Sequence, residues 1–225
     1  RLIAKDVGGR FGMKGDVYPE EAPVLWAAKK IGRPVKWISS RSDGLLNDTH
    51  GRDQIVTGEV ALDKDGIILG LRAHSVTNLG GNISGAGVIP SLSALQMAPQ
   101  VYRIPTVFFT GQAVFTNTAP MGPYRGAGRP EATYFMERMI EHAALATGID
   151  RVELRRRNFI PASAMPFTTA TGVTYDSGDF ADTLNKTIAM ADWDGYAARK
   201  SASEKKGKLR GRGLIYYVET CAIFN

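Results

Sequence analysis

The sequence predicts an α+β fold, with mixed β-sheets and helices packed against them. Three observations favour this class. Strand-like and helical patterns follow one another without the strict alternation of a doubly wound sheet. Residues 63–66 carry two aspartates and a glycine between the strand-like segments 54–62 and 67–78, which predicts a hairpin. A long segment with apolar residues on one side begins at Pro130 and stops at Gly148, as a helix would.

The remaining elements follow from local patterns along the chain. Residues 2–7 predict a strand that enters a glycine loop at Gly8. A helix is then expected from Pro19, with glutamates in its first turn, an apolar stripe and a stop at Gly32. Further strands are expected at 34–39, 107–116 and 216–225, further helices at 150–157 and 180–190, and irregular connections at 40–53, 79–90, 117–129, 161–178 and 201–212.

The composition limits the classes of protein. With 225 residues, 44% hydrophobic, the chain can bury a core, but no apolar run reaches the ~18–20 residues of a membrane span. Cys221 is the only cysteine, so the chain cannot supply the thiolates of an iron–sulfur cluster. His50, His74 and His142 are widely spaced and are expected to be structural or surface residues.

The net charge of +6 leaves a nucleic-acid-binding module as an alternative of another class. Much of the excess lies in the runs 155–157 and 205–212, which are expected to form solvated faces. Aromatic residues do not interleave with the basic ones as a stacking platform would require. The charge alone therefore favours no nucleic-acid partner.

Two glycine-rich segments could carry chemistry. Residues 8–14 lie between a strand and a helix, where glycines let backbone N–H groups approach an oxygen-rich ligand. Residues 116–132 place Arg125 near glycines just before a helix, where its guanidinium can meet a phosphate or a polar cofactor edge. A structural glycine turn and a surface arginine remain the alternatives. A third segment, 175–180, is interpreted as structural, with Asp179 or Ser177 capping the next helix.

Four segments, in order and with matching spacing, resemble the molybdenum-binding catalytic subunit of the molybdenum hydroxylases, which include xanthine dehydrogenases, aldehyde oxidases and aerobic carbon monoxide dehydrogenases. They are residues 8–14, 124–129, 154–158 and 175–180. The resemblance covers essentially the whole chain. It implies an internal segment of the molybdopterin-binding domains of a longer subunit, with both cofactor loops in residues 1–160 and a connection into the next part in residues 161–225.

The resemblance also implies roles for individual residues. The cofactor-binding residues would be Gly9, Phe11, Gly12 and Arg125, with Phe11 and Arg125 next to molybdenum, and the active-site loop would contribute Tyr124, Gly126 and Ala127. No catalytic residue is expected in this chain, because the glutamate base of the family would follow Asn225 and the glutamine that faces molybdenum would precede Arg1.

The same resemblance implies the cofactors and partners. The cofactor would be molybdenum-molybdopterin in its cytosine dinucleotide form, with two [2Fe–2S] clusters and FAD on an iron–sulfur small subunit and a FAD medium subunit. The expected assembly is a cytoplasmic dimer of heterotrimers that binds no nucleic acid, with association with the inner face of the membrane left open.

Departures from the family pattern narrow the subgroup. Gly126 stands where true carbon monoxide dehydrogenases have a copper-binding cysteine, so the chain resembles the carbon monoxide dehydrogenase-like group with a Y-R-G-A-G-R loop. A true carbon monoxide dehydrogenase is kept as the alternative. Gly15 and Ala127 replace the two residues that clamp a purine in xanthine-oxidising relatives. The resemblance therefore favours a small substrate such as an aldehyde or a nitrogen heterocycle.

Overall fold

The computed structural model of the chain describes Asp6 and residues 8–219. The α-helices in this part are α1 (Glu21–Ile31), α2 (Arg41–Asn47), α3 (Ile89–Gln96), α4 (Arg129–Thr147), α5 (Arg151–Asn158), α6 (Phe180–Met190) and α7 (Tyr196–Glu204). The strands are β1 (Gln54–Leu62), β2 (Ile68–Gly80), β3 (Val107–Phe115), β4 (Phe167–Thr168) and β5 (Thr174–Tyr175). The predicted α+β class is confirmed. Among the residues described, no helix is long and apolar enough to cross a membrane.

The principal sheet has three strands in the order β1-β2-β3. The predicted hairpin is present, since the N–H of Gly66 donates to the carbonyl of Asp63 at 3.1 Å and the N–H of Asp63 donates to Ile67 at 2.9 Å. A second, two-stranded sheet pairs β4 with β5 antiparallel, within a segment that the sequence predicts as irregular. Strands of two residues are too short for a periodic pattern to reveal them.

The described chain divides into two compact units. The first unit comprises the described residues up to 57 together with 74–95 and 110–131. The second unit comprises residues 58–73, 96–109 and the described residues from 132 onward. Both glycine-rich loops belong to the first unit. The second unit holds most of the fully buried side chains, including Tyr102, Met136 and Ile140.

The interior of the second unit corrects one expectation. Residues 155–157 are expected on a solvated face, but Arg155 is 0% exposed. Its guanidinium pairs with Glu137 at 2.8 Å and with Glu141 at 2.9 Å, and it also donates to the carbonyl of Leu214 at 3.1 Å. A buried cation requires such partners, and α4 supplies both carboxylates. Local charge density does not reveal partners 14 to 18 residues away.

Glu137 is the centre of this buried group. Burial raises the pKa of its carboxyl, and the positive charge of Arg155 partly opposes that rise. The hydroxyl of Tyr102 donates to the same carboxylate, and burial together with the charge of Glu137 raises the pKa of that phenol. The group therefore links α4, α5 and the segment between α3 and β3 through charge-assisted hydrogen bonds.

The first unit departs from the predicted elements in two places. Residues 34–39 are not a strand, because they pair with no other strand in the described part of the chain. The connection 40–53 contains α2, which starts with a capping box: the hydroxyl of Ser40 accepts from the N–H of Asp43, and the Asp43 carboxylate accepts from the N–H of Ser40. At seven residues, α2 is too short to show a clear helical period.

Other outcomes concern helix boundaries. Gly32 ends α1 at φ 65°, Asp179 caps α6 by accepting from Asp182 at 2.9 Å, and α4 runs through the predicted range. However, α3 and α7 fall in segments predicted as connections or left unassigned, and α1 has no buried residue. Cys221 and most of the predicted strands 2–7 and 216–225 lie outside the described residues.

Candidate functional site

Two loops of the first unit meet at the candidate site. The first loop is residues 8–15 and the second loop is residues 122–129. The N–H of Arg125 donates to the carbonyl of Phe11 at 2.8 Å, and the Arg125 guanidinium carbon lies 5.8 Å from the centre of the Phe11 ring. The Phe11 side chain is 54% exposed. The fold brings Phe11 and Arg125 into one site although 114 positions of sequence separate them.

Glycine is required where these loops approach other backbone. Gly12 has φ 107°, and a Cβ there would lie 2.1 Å from the carbonyl oxygen of Pro123. Gly128 has φ 97°, and a Cβ there would lie 1.9 Å from the carbonyl oxygen of Pro90. At Gly12 the first loop packs against the second loop, and at Gly128 the second loop packs against α3. Side chains at either position would separate the backbones.

Arg52 holds the second loop from the side. One guanidinium nitrogen donates to the Arg125 carbonyl at 2.6 Å, and the other pairs with Glu131, in the first turn of α4, at 2.9 Å. The guanidinium also lies 5.0 Å from the centre of the Tyr124 ring. The Glu131 side chain is only 10% exposed, so water screens this ion pair weakly. Arg52 thus links the loop to the start of α4.

The junction of the loops carries hydrogen-bond donors that have no acceptor among the described residues. Within the described residues, the backbone N–H groups of Arg10, Phe11 and Gly12 donate to no protein atom. The guanidinium groups of Arg10 and Arg125 likewise make no hydrogen bond or ion pair in the part of the chain described. Unpaired amides and cations around an exposed loop suit an anionic, oxygen-rich ligand such as a phosphorylated cofactor.

One buried cation in the second loop adds to this donor set. Arg129 is 8% exposed, and its Nε has no hydrogen-bond partner among the described residues, while one terminal nitrogen donates to Gly126 at 3.2 Å. A direct metal site is not indicated: the described residues contain no group of three or more His, Cys, Asp or Glu that could hold a metal ion.

A cavity of about 580 Å³ lies in the first unit, between segments that flank both loops. Residues 16–20, which line it, directly follow the first loop, and residues 117–120 precede the second loop by two positions. The other lining residues are 46, 47, 49 and 82–85. Its volume falls within the range of small-molecule sites, about 300–1,000 Å³.

The family of the chain follows from a match that covers both loops. A family model described as the molybdopterin cofactor-binding domain matches residues 1–159. The chain belongs to this family. The resemblance to the molybdenum hydroxylases that the four sequence segments indicate is thereby confirmed. The donor-rich junction in this molybdopterin cofactor-binding domain fits a molybdopterin ligand.

Relatives of known name agree with this assignment. The carbon monoxide dehydrogenase large chain of Hydrogenophaga pseudoflava is 35% identical over 225 residues, which is 97% of the chain and 28% of that relative. The 6-hydroxypseudooxynicotine dehydrogenase complex subunit gamma of Paenarthrobacter nicotinovorans is 33% identical over 219 residues, 95% of the chain and 28% of that relative. The chain thus spans 28% of the length of these curated relatives.

A solved structure shares the fold. Quinoline 2-oxidoreductase from Pseudomonas putida 86 matches the molybdopterin cofactor-binding domain with a TM-score of 0.84 at 33% identity. The match covers 90% of the chain and 26% of the chain of that enzyme. The fold that contains the two predicted cofactor loops is therefore also present in this enzyme.

The structure brings together most residues that the sequence singles out. Gly9 lies under the Phe11 ring, with a hypothetical Cβ 2.1 Å from the ring edge. Tyr124 is exposed, whereas Ala127 is buried at φ 42° and offers little surface to a ligand. Their roles toward cofactor and substrate stay predictions. Two neighbours, Arg52 and Glu131, are absent from the sequence prediction because no local motif marks a contact across 79 positions.

We expect Arg52→Gln in the complete subunit to lower the turnover number about tenfold, because the Arg125 carbonyl and Glu131 would each lose a charge-assisted hydrogen bond. Arg52→Lys should recover part of this loss, since lysine keeps the charge without the two-pronged geometry. Steady-state dye reduction measures both. Equal activity of Arg52→Gln and the wild type would contradict the role of Arg52 in placing the loop.

Proposed function

We propose that the chain forms part of the catalytic large subunit of a molybdenum hydroxylase of the carbon monoxide dehydrogenase-like group. The whole enzyme would oxidise a small substrate with water as the source of oxygen and pass electrons to [2Fe–2S] and FAD subunits. The donor-rich junction of the two loops, inside the residues that match the molybdopterin family, is the observation that supports this proposal.

The proposed roles of the residues follow from the contacts. The N–H groups of Phe11 and Gly12, which donate to no described residue, would donate to the cofactor. The Arg125 guanidinium, which makes no hydrogen bond or ion pair with the described residues, would donate to the pterin and its polar edge. Gly9 leaves room for the Phe11 ring, whose exposed face would shield the site from water. The bound molybdenum cofactor would supply the two-electron oxidation itself. The remaining residues would orient substrate and cofactor.

The substrate is proposed to be an aldehyde or a nitrogen heterocycle. The related quinoline oxidoreductase is named for such a heterocycle, which supports this choice. The 35% identity to a carbon monoxide dehydrogenase large chain supports carbon monoxide as the alternative. Gly126 provides no thiolate for copper, and we therefore expect no carbon monoxide-dependent dye reduction.

The partners and the form of the cofactor are also proposals. The names of the relatives, a complex subunit gamma and a large chain, support an assembly of several subunits. We propose an iron–sulfur small subunit, a FAD medium subunit, a cytosine dinucleotide on the pterin and a cytoplasmic dimer of heterotrimers. Within the complete subunit, residues 1–160 would hold both cofactor loops and residues 161–225 would lead into the next part.

Metal analysis of the complete complex tests the proposed function. The purified complex should contain about one molybdenum atom per large subunit and should reduce a dye when an aldehyde or a nitrogen heterocycle is added. Inductively coupled plasma mass spectrometry gives the metal content, and dye absorbance gives the turnover. Active complex without molybdenum would refute the proposal.

Removal of one proposed cofactor contact should lower activity without abolishing it. Arg125→Ala should reduce molybdenum occupancy or turnover about tenfold, because it deletes a donor group that makes no hydrogen bond or ion pair with the described residues and that lies over the Phe11 ring. Arg156→Ala is the matched control, since Arg156 is exposed and makes no ion pair in the described part of the chain. Full occupancy and full turnover in Arg125→Ala would remove Arg125 from the site.

A further inference from the structure

We propose that the 580 Å³ cavity beside the loops binds a hydrophobic organic cation, and that Asp16 and Glu20 receive its protonated nitrogen. The inference rests on the proposed function, because it names the class of substrate that would reach the cofactor loops. It extends that function from small aldehydes and heterocycles to those that also carry an amine.

The charge of the lining supports a cation. Asp16 and Glu20 are both partly buried, and neither forms an ion pair with any described residue. No lysine, arginine or histidine lines the cavity, so its formal charge at neutral pH is negative. A bound cation would supply the counter-ion that these carboxylates lack among the described residues.

One of these carboxylates lies close to the backbone at Gly85. A Cβ added at Gly85 would lie 3.0 Å from Oδ1 of Asp16, so the missing side chain at Gly85 lets the carboxylate rest against the backbone there. Tyr18, between the two acidic residues, is fixed by a hydrogen bond from its hydroxyl to the Met13 carbonyl at 2.8 Å. The segment that carries Asp16 and Glu20 is therefore hydrogen-bonded to the first loop through Tyr18.

The remaining lining supplies neutral acceptors. The side-chain amides of Asn47, Asn82 and Asn117 line the cavity, make no hydrogen bond to described residues and can each accept a hydrogen bond through the amide oxygen. A ligand with N–H donors would satisfy these groups. A carboxylate or phosphate ligand would meet two like charges and no cation.

An apolar wall distinguishes an organic cation from a metal ion. Val17, Leu46 and Ile83 line the same cavity and are 81%, 70% and 50% exposed. Covering such side chains with an apolar ligand body is favourable by about 25 cal/mol per Å². A hydrated metal ion would leave these side chains exposed, and the described residues contain no cluster of three metal-ligating side chains. The ligand is accordingly an amine with a hydrophobic body.

Binding measurements on the complete complex test this inference. Benzylamine, which is cationic at pH 7, and benzyl alcohol, its neutral counterpart, would be titrated by calorimetry into wild type, Asp16→Asn and Glu20→Gln. We expect wild type to bind benzylamine at least about tenfold more tightly than benzyl alcohol. Each variant should lose about tenfold in affinity for benzylamine and less than about twofold for benzyl alcohol. Asp194→Asn, an exposed carboxylate outside the cavity, should change neither.

Dye reduction with 4-[(dimethylamino)methyl]benzaldehyde and its neutral analogue 4-isobutylbenzaldehyde gives a second readout. The KM of the amine should rise in both variants and that of the analogue should stay constant. Three results would overturn the inference. The first is equal affinity of wild type for benzylamine and benzyl alcohol. The others are tighter binding of Ca²⁺ than of benzylamine in the same titration, and loss of molybdenum in both variants. Wild type that carries molybdenum but shows no preference for the amine separates this failure from failure of the proposed function.

Discussion

Gly12→Val should abolish molybdenum incorporation and turnover in the complete complex. A Cβ at position 12 would lie 2.1 Å from the Pro123 carbonyl oxygen. This is far below van der Waals contact, so the backbone of one loop would have to move. The φ of 107° adds strain of about 1–3 kcal/mol for any residue with a side chain. The loops would separate, and the hydrogen bond from Arg125 to Phe11 would be lost. Metal analysis and dye reduction measure the result.

Gly8→Ala provides the matched control in the same loop. The nearest atom to a Cβ at position 8 is Nζ of Lys14 at 4.0 Å, an ordinary contact. This variant should retain molybdenum and at least about half of the turnover. If Gly12→Val kept full molybdenum occupancy, the close approach of the two loops would not be needed to hold the cofactor.

Arg155→Met should lower the free energy of unfolding by about 3–5 kcal/mol, the usual cost of removing one partner of a buried ion pair. Glu137 would then remain buried with no cation beside it, and the Leu214 carbonyl would lose its donor. Urea denaturation followed by tryptophan fluorescence measures the change. Arg156→Met, at an exposed position next to it in the sequence, should change stability by less than about 0.5 kcal/mol.

The same variant should acquire a distinct pH dependence. Without Arg155, burial raises the pKa of Glu137 further above its ordinary value. A carboxyl whose folded pKa exceeds its unfolded pKa takes up a proton on folding. Its contribution is therefore full below the unfolded pKa and is lost as pH rises through the folded pKa. Stability of Arg155→Met should fall from acidic toward neutral pH, and adding Glu137→Gln should remove that slope. A flat profile for Arg155→Met would place the charge of Glu137 in contact with another cation.

Local signals account for the parts of the molecule that the sequence predicts well. The hairpin turn at 63–66, the glycine stop at Gly32 and the cap at Asp179 each depend on residues within a few positions. The two cofactor loops are predicted from glycine spacing together with the family resemblance. Such features require no knowledge of which distant segments meet.

Features that depend on distant contacts are the ones that the sequence does not predict. Arg155 looks like one cation in an exposed run, and only the carboxylates of α4 explain its burial. Arg52 stands in a polar stretch, and only contacts more than 70 positions away give it a place at the second loop. The cavity likewise forms from four separate stretches of chain, so no single motif could indicate its acidic lining.

The backbone of the second loop bears on how one type of site could evolve into another. Gly126 has φ 93°, a conformation that residues with a side chain rarely adopt. The sequence resemblance implies that Gly126 stands at the position of the copper-binding cysteine in true carbon monoxide dehydrogenases. A single Gly126→Cys change would therefore place a thiol on a strained backbone conformation of this loop. If the resemblance holds, conversion of this loop to a copper site would require a change of backbone conformation at position 126 in addition to the cysteine.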